Sequence, residues 1–249
     1  MFVTKFDDGL KKILCKSLFI RTMSKLPPLF EGFYRVTAKG QILKDFHETY
    51  KVQRYVQTGG FGHLYEGTRI RDSKQVALKY INKANAPKIT DKETKRVKSL
   101  EVVLLEQVAH IRSCIELFDN YENDDSYLIV MEWPEGAIDL FDYIYDKKKL
   151  NENEARQIFH DVVETVIAIH ASGIVHRDLK DENILIIPTT GQVKLIDFGA
   201  GTFLHDGIYT DFIGLFPLQT HTSHSIYIKF VYILQFITFC FEYNRNIGV

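Results

Sequence analysis

The chain contains 249 residues, of which 45% are hydrophobic and 25% are charged. This composition is typical of a globular protein and excludes disordered, collagen-like and disulfide-scaffold sequences. Lys and Arg number 31 and Asp and Glu number 32, so the formal net charge is -1. A balanced charge lacks the positive excess that favours binding to nucleic acid or to an anionic membrane. We therefore expect neither as a partner, and any electrostatic function must be local.

The cysteines and the N-terminal residues indicate where the protein resides. Cys15, Cys114 and Cys240 are an odd number and lack the spacing of a zinc module. This argues against a secreted disulfide framework, so we expect an intracellular protein in the cytoplasm or nucleus. No apolar core of signal-peptide length is present, and residues 1–49 are predicted to be a flexible extension. An amphipathic anchor around residues 11–21 remains an alternative.

From residue 50 onwards, the hydrophobic pattern predicts a small antiparallel sheet that carries one helix. Runs of alternating or wholly apolar residues predict strands at 51–57, 63–68, 75–81 and 127–131. Apolar residues at helical spacing predict a single helix around 98–110. The N-terminal half of this region is therefore expected to be mostly strand.

A longer helix and two short strands follow. Asn151 can cap this helix, and apolar residues between Ala155 and Ile167 recur at helical spacing until Gly173. An apolar stripe this wide must be buried against another element of the fold. Short strands are predicted at 184–187 and 192–196, and the loops beside them contain the polar residues.

Those loops carry the most specific motifs in the chain. His176-Arg177-Asp178-Leu179-Lys180 is followed by Asn183 and then by Asp197-Phe198-Gly199. Together they reproduce the catalytic-loop and magnesium-loop pattern of protein kinases. Upstream, Val76-Ala77-Leu78-Lys79 resembles the strand whose lysine holds the α- and β-phosphates, and Glu101 can pair with that lysine from the next helix.

The glycine-rich loop that covers the phosphates in kinases is altered here. Thr58-Gly59-Gly60-Phe61-Gly62-His63-Leu64 supplies the second and third glycines of the pattern, whereas Gln57 stands at the first. Gly59 and Gly62 allow close backbone approach to a nucleotide, while Gln57 can stiffen or partly obstruct the loop. Taken alone, the stretch is also consistent with a plain glycine hairpin.

Residues 50–214 resemble a serine/threonine protein kinase of the Pim type. The matching segments are Glu101-Val102-Val103-Leu104-Leu105, Asp139-Leu140-Phe141-Asp142-Tyr143-Ile144, Lys180-Asp181-Glu182-Asn183-Ile184-Leu185-Ile186 and Tyr209-Thr210-Asp211-Phe212. The resemblance implies an α+β, protein-kinase-like bilobal fold with a small antiparallel-sheet N-lobe that carries one helix. It further implies an N-lobe at 50–131, a hinge at 132–138 and an incomplete, mainly helical C-lobe at 139–214.

The resemblance ends after Gly214, where a kinase continues into a peptide-positioning loop and several helices. Residues 215–249 form a divergent hydrophobic tail, and Ile226 to Phe241 is shorter than the roughly twenty apolar residues of a membrane span. We therefore expect a truncated or divergent C-lobe, an aggregation-prone tail and weak phosphate transfer. The apolar stripe of the long helix is expected to lack its usual partner helix.

The implied activity is ATP-dependent phosphoryl transfer to a Ser/Thr hydroxyl of basic, Arg-rich protein substrates by a monomer, with ATP and Mg2+ as cofactors. The implied catalytic residues are Asp178, Lys180, Lys79 and Glu101, and the implied magnesium ligands are Asn183 and Asp197. The implied cofactor-binding residues are Gly59, Gly60, Phe61, Gly62, Leu64, Ala77, Lys79, Glu132, Pro134 and Asp139. The carboxylates of Asp139, Asp142 and Glu182 are implied to bind substrate arginines, because carboxylates can accept two hydrogen bonds from a guanidinium.

Pro134 has a direct consequence for nucleotide binding. It lies in the hinge segment Glu132-Trp133-Pro134-Glu135, where kinases usually offer a backbone N–H to adenine. Proline has no N–H, so we expect ATP binding to be weaker by about 0.5 to 1.5 kcal/mol.

Two other functions remain open: a nucleotide-binding pseudokinase or scaffold, and an inactive truncated kinase fragment. The motif residues Lys79, Glu101, Asp178, Asn183 and Asp197 are intact, which disfavours a pseudokinase that lost its chemistry by point substitution.

Overall fold

A computed structural model describes residues 30–36, 42–60, 62–91 and 95–205. The expectations for the anchor around residues 11–21, for Phe61 and for everything after residue 205 lie outside the described residues. These include the segment 209–212, the break after Gly214 and the hydrophobic tail.

Within the described residues, nine strands precede the predicted hinge, and seven of them form one antiparallel sheet. The strands are β1 (Tyr34–Val36), β2 (Ile42–Asp45), β3 (Tyr50–Gly59), β4 (Gly62–Arg69), β5 (Gln75–Asn82), β6 (Lys88–Thr90), β7 (Val97–Ser99), β8 (Leu117–Glu122) and β9 (Ser126–Glu132). The sheet order is β2-β1-β8-β9-β5-β4-β3, while β6 and β7 form a separate hairpin. The four strands predicted in this region lie within β3, β4, β5 and β9. The predicted α+β class, with an antiparallel-sheet lobe, is confirmed.

Helix α1 (Leu100–Gln107) is the one α-helix that the described part of this lobe contains. Its buried residues Val102, Leu104 and Leu105 pack into the main core, which lies between this helix, one face of the sheet and the second lobe. The helix is shorter than predicted because the chain turns at Val108 to pair with a strand of the second lobe. In that pairing, Ile115 donates its N–H to the carbonyl of Leu195 at 3.0 Å.

The second lobe contains two helices and five short strands in its described part. They are β10 (Ile138–Asp139), α2 (Leu140–Lys147), α3 (Glu152–Ala171), β11 (Ile174–Val175), β12 (Ile184–Ile187), β13 (Gln192–Leu195) and β14 (Thr202–Phe203). Strands β10, β12 and β13 form one sheet, and β11 pairs with β14. Asn151 caps α3 as predicted, since its side chain accepts the N–H of Glu154 at 2.9 Å. In the described part of the chain, no helix is both long and apolar enough to cross a membrane.

The apolar stripe of α3 is covered on one side, where the expectation that it lacks a partner is wrong. Ile158, Val162, Val166 and Ile169 are buried in the main core. Strands β11 and β13 pack against α3 and supply the partner surface. The other side of the stripe is less covered: Phe159 and Val163 are half-buried, and Ile167 is 43% exposed. Short strands therefore bury the side of Ile158, Val162 and Val166, while for the side of Phe159, Val163 and Ile167 the lack of a partner helix stays a prediction.

The N-terminal extension is the second point of difference. Residues 30–36 and 42–49 are folded onto the first lobe rather than flexible, because β1 pairs with both β2 and β8. Their aromatic side chains join an outer cluster on the sheet face away from α1. This outer cluster consists of Phe30, Phe33, Phe46, Tyr50, Val52, Tyr65, Val76, Leu78, Tyr121, Leu128 and Val130. The aromatic residues of this segment follow no strand or helix period, so the pattern did not reveal the packing.

Candidate functional site

A buried lysine of the sheet bridges two carboxylates from distant segments. Lys79 lies on β5, where the residues on its face, Ala77 and Ile81, point into the main core beside α1. Its Nζ is 2.6 Å from Oε1 of Glu101 on α1 and 2.7 Å from Oδ1 of Asp197 in the loop after β13. The structure therefore brings together three residues that the sequence separates widely.

The charges of this triad are mutually dependent. Burial alone lowers the pKa of Lys79, but attraction to Glu101 and then Asp197 outweighs it and the pKa is raised. Burial tends to raise the pKa of Asp197, but the ammonium of Lys79 lowers it overall. Burial also raises the pKa of Glu101, and Lys79 opposes that effect. An unpaired buried charge would be costly, so each carboxylate helps to keep the lysine charged and in place.

The loop after β11 gathers the second group of predicted residues. Nδ2 of Asn183 donates to Oδ2 of Asp178 at 2.9 Å and to its backbone carbonyl at 2.8 Å. Nζ of Lys180 lies 3.0 Å from the same Oδ2 of Asp178. Asn183 is itself held by a short 3-10 helix, Asp181–Asn183, in which it is buried. The carboxylate of Asp178 is thus oriented by an amide and an ammonium.

Both loops contain a residue with left-handed backbone. Asp197 has a φ of 64°, and its side chain accepts the N–H of Gly199 at 3.2 Å. Arg177 has a φ of 65°, and its Nε donates to the carbonyl of Ala200 at 2.6 Å. Residues other than glycine rarely adopt this conformation, and such strain concentrates at functional sites. Here the hydrogen bonds from each residue hold the strained turn.

His176 connects the two loops. Its ring is buried, with Nε2 3.0 Å from the carbonyl of Ile196 and Nδ1 accepting the N–H of Asp178 at 3.3 Å. The ring also meets the edge of Phe198, with centroids 4.8 Å apart. Burial lowers the pKa of His176, which favours the neutral ring that this bonding pattern requires. The loop of Asp178 and the loop of Asp197 are therefore joined through one neutral imidazole.

The hairpin of β3 and β4 contains the glycine-rich turn. Gly59 pairs directly with Gly62, and Gly60 lies exposed at the tip, next to the undescribed Phe61. A Cβ on Gly62 would lie 2.2 Å from the backbone oxygen of Tyr80, so close packing on β5 requires glycine here. Leu64 packs against the main core and thus faces the same side of the sheet as Lys79.

The segment between the lobes is anchored at its first residue. Strand β9 ends at Glu132, whose Oε1 accepts a hydrogen bond from Nζ of Lys194 on β13 and from the N–H of Glu116 at 2.8 Å. Pro134 accepts the N–H of Ala137 at 3.2 Å, which turns the chain towards β10. The side chain of Glu132 thus ties the first lobe to the second at the predicted hinge.

Sequence reasoning missed Lys194 as a contributor to this hinge. In the sequence it is a single charged residue within a short strand, a pattern that also fits an exposed lysine. Only 18% of its side chain is exposed, because it turns towards Glu132. No local signal distinguishes the two cases, since the partner lies on the other lobe.

The three carboxylates implied to bind substrate lie on neighbouring elements. Asp139 caps α2 and accepts the N–H of Asp142 at 2.7 Å. Both β10 and α2 contact the 3-10 helix that contains Glu182. Next to Glu182, Asp181 is buried, and burial followed by the neighbouring Glu182 carboxyl raises its pKa to about 6. Four carboxyl groups, those of Asp139, Asp142, Asp181 and Glu182, therefore lie on adjoining elements.

The donor set beside Lys79 fits a magnesium ion that shares phosphate ligands. Mg2+ is usually held by one or two protein side chains together with waters and phosphate oxygens. Asp197 supplies a carboxylate whose side chain is 29% exposed. Asn183 uses its amide nitrogen for Asp178, so its amide oxygen remains an acceptor. No group of three or more His, Cys, Asp or Glu within the described residues could hold a metal by itself.

Comparison with known proteins supports the same family. The protein kinase domain matches residues 50–216. The chain is 38% identical over 189 residues to the serine/threonine-protein kinase prk-2 of Caenorhabditis elegans, covering 74% of this chain and 42% of that protein. It is 40% identical over 179 residues to the serine/threonine-protein kinase pim-2 of Danio rerio, covering 68% of this chain and 57% of that protein.

A third relative is also a serine/threonine-protein kinase. The chain is 36% identical over 153 residues to the PAS domain-containing serine/threonine-protein kinase of Mus musculus, covering 60% of this chain and 11% of that protein. The chain spans less than two thirds of the length of each of these three relatives. The matched domain includes every segment that contributes to the triad of Lys79, Glu101 and Asp197 and to the loop of Asp178. The chain belongs to the protein kinase family.

Proposed function

We propose that this chain is the catalytic domain of an ATP-dependent serine/threonine protein kinase of the Pim type. The observation that carries the proposal is the triad in which Lys79 bridges Glu101 and Asp197 within hydrogen-bond distance. The named relatives are serine/threonine kinases, and pim-2 is among them. The basic residues and carboxylates that phosphoryl transfer requires are present in the triad and in the loop of Asp178, which His176 joins to the loop of Asp197.

Asp178 is the proposed proton acceptor. Asn183 and Lys180 both contact its Oδ2, which orients the carboxylate. Asp178 would align the substrate hydroxyl and take its proton, while Lys180 would neutralise charge that develops on the transferred phosphoryl group. Positioning and charge stabilisation account for most of the catalysis in such a site.

The triad is proposed to hold the nucleotide phosphates. Lys79 would contact the α- and β-phosphates, and Glu101 would fix the position of that ammonium. Asn183 and Asp197 would hold Mg2+, which neutralises phosphate charge when it is bound. The glycine turn at residues 59–62, with Leu64 and Ala77 on the inner face of the sheet, would enclose the nucleotide together with Glu132, Pro134 and Asp139.

The acidic surface of the second lobe suggests the substrate class. Asp139, Asp142 and Glu182 lie on elements that contact one another, and these carboxylates suit the guanidinium groups of arginine. We therefore infer basic protein substrates that are phosphorylated on Ser or Thr. We also propose that the kinase is a monomer.

The central test is phosphate transfer by the full 249-residue chain and by Asp178→Asn. Radiolabelled transfer from ATP to a basic Ser/Thr peptide is compared with direct binding of Mg2+ and ATP. We expect Asp178→Asn to lose at least about 100-fold in transfer and to keep its nucleotide affinity, because the change removes a proton acceptor. Asp146→Asn on the exposed side of α2 is the matched control and should transfer normally.

Each other outcome has a defined meaning. Near-normal transfer by Asp178→Asn would show that Asp178 is not the proton acceptor. Nucleotide binding without transfer by the unaltered chain would favour the pseudokinase or fragment alternative. A peptide whose upstream arginines are replaced by alanine should be a poorer substrate, and equal phosphorylation of both peptides would contradict the basic preference.

A further inference from the structure

Three hydrogen-bonded polar side chains lie next to the glycine-rich turn of the β3–β4 hairpin. The hydroxyl of Tyr55 lies 2.5 Å from Oγ1 of Thr58, and the same Oγ1 lies 2.8 Å from Nδ1 of His63. A hydroxyl can donate one hydrogen bond and accept others, so Thr58 can satisfy both neighbours at once. We call Tyr55, Thr58 and His63 the outer brace.

A β-bulge makes this brace possible. In a regular strand, residues three apart face opposite sides of the sheet. Between Tyr55 and Gln57 the pairing of β3 with β4 shifts register, which leaves one extra residue, Val56, on β3. The shift brings Tyr55 and Thr58 to the same face. Thr58 is also the direct cross-strand partner of His63, so their side chains are adjacent.

The brace lies on the face of the sheet away from the proposed nucleotide. Tyr55 packs against the outer cluster, and its ring meets that of Tyr65 at 5.5 Å. The ring of His63 is 6.2 Å from that of Tyr80, which packs against the same cluster. Leu64 instead packs against the main core on the opposite face. The brace residues therefore act on the hairpin without touching the nucleotide.

The outer brace lies directly beside the paired glycines of the turn. Thr58 immediately precedes Gly59 and His63 immediately follows Gly62, so their hydrogen bond closes the hairpin next to the paired glycines. Glycine loses more backbone freedom on ordering than other residues and offers no side chain for packing. A cross-strand bond at this place limits the conformations of the turn.

We propose that Thr58, together with Tyr55 and His63, is a positioning residue that holds the glycine hairpin in the conformation that receives the nucleotide phosphates. This inference rests on the proposed kinase function. It adds Tyr55, and the two variable positions Thr58 and His63 of the glycine-rich motif, to the residues that serve nucleotide binding. They act through the hairpin backbone, so their loss should weaken ATP binding more than it slows the transfer step.

The experiment compares Thr58→Val and Thr58→Ser in the full chain. Valine keeps the branched shape and strand preference but removes the hydroxyl, whereas serine keeps the hydroxyl. We expect Thr58→Val to raise KM for ATP about three- to tenfold, because it removes one or two hydrogen bonds. The variant should change kcat less than about twofold. Thr58→Ser should restore most of the affinity. Thr90→Val, an exposed substitution on β6, is the matched control.

Two further measurements separate this inference from the kinase proposal. Hydrogen exchange of the backbone amides in residues 57–64 should be faster in Thr58→Val than in the unaltered chain. The dissociation constant for ATP with Mg2+, measured by direct binding, should rise with KM. If the chain transfers no phosphate, the kinase proposal fails, while hydrogen exchange and direct binding still test the brace. Unchanged exchange in Thr58→Val, or equal KM values for the valine variant and the unaltered chain, would overturn the brace.

Discussion

Asp181 is a buried carboxyl group directly beside the loop of Asp178. Its side chain accepts the N–H of Glu182 at 3.1 Å, and only 6% of the residue is exposed. Burial and then the adjacent Glu182 carboxyl raise its pKa from 3.8 to about 6. The folded protein therefore binds a proton at this position more tightly than the unfolded chain between pH 4 and 6. The stability contributed by that proton is lost as pH rises through this window.

We predict that Asp181→Asn stabilises the protein at neutral pH. Asparagine is uncharged and still offers an oxygen to the N–H of Glu182, so the burial cost of the carboxylate disappears. The free energy of unfolding should rise by about 1 to 3 kcal/mol at pH 7.5, and the gain should shrink towards pH 4.5. Chemical denaturation at the two pH values measures both quantities. Asp146→Asn, on an exposed part of α2, should be neutral at both, and a gain for Asp181→Asn that is equal at both values would contradict the prediction.

At the scale of elements, the hinge is held by a pairing between the lobes. The segment 113–116 pairs with β13 on one side, where Leu195 donates its N–H to Ser113 at 2.7 Å. On the other side it meets the end of β9, where Glu132 donates its N–H to the carbonyl of Glu116 at 2.9 Å. The ion pair of Glu132 with Lys194 spans the same junction. The backbone of the hinge is therefore anchored before it reaches Pro134.

We predict that Pro134→Ala tightens ATP binding. The substitution restores a backbone N–H at the position where the kinase resemblance implies contact with adenine, and it retains the carbonyl that accepts from Ala137. One added hydrogen bond is worth about 0.5 to 1.5 kcal/mol, which corresponds to an affinity increase of about two- to tenfold. Direct binding of ATP measures the change. Pro188→Ala, in the exposed turn between β12 and β13, should leave affinity unaltered, and unchanged or weaker binding by Pro134→Ala would refute this account of the hinge.

At the scale of the whole molecule, the folded N-terminal hairpin extends the first lobe by two strands. Phe46 is fully buried, and its ring lies 5.5 Å from that of Tyr121 and 5.9 Å from that of Tyr50. The Tyr50 hydroxyl donates to Oδ2 of Asp119 at 2.5 Å, and Arg35 forms an ion pair with the same carboxylate. The hairpin pairs with β8, which would otherwise be an edge strand with exposed backbone groups. It also covers the aromatic residues behind β8, which would otherwise expose apolar surface.

We predict that Phe46→Leu weakens the whole domain without altering the nucleotide site. Leucine keeps the site apolar but loses aromatic contacts, so the free energy of unfolding should fall by about 1 to 2 kcal/mol. ATP affinity of the folded protein should stay within about twofold of the unaltered chain. Denaturation and direct binding test the two parts. Tyr145→Leu, an aromatic residue that is 65% exposed, should change stability by less than about 0.5 kcal/mol. Equal stability of Phe46→Leu and the unaltered chain would show that the hairpin is not part of the cooperative fold.

The sequence by itself determined the local elements and the order of the motifs. Strands β3, β4, β5 and β9 follow from alternation or from short apolar runs, and the start of α3 follows from the cap at Asn151. These features depend on residues close together in the chain, which is why period and capping rules recover them. The pairing of Lys79 with Glu101 also followed from the sequence, because the kinase motifs imply it.

Only the tertiary structure decided which distant segments meet. The hairpin at residues 34–45 joins β8 through aromatic packing that has no period, and short strands cover one side of α3. Lys194 reaches Glu132 across the hinge, and a register shift at Val56 brings Tyr55 and Thr58 to one face. Each of these depends on the position of a partner far away in sequence or on one extra residue in a strand. Side-chain periodicity carries no information about either, because it reports which face of an element is apolar and not what covers that face.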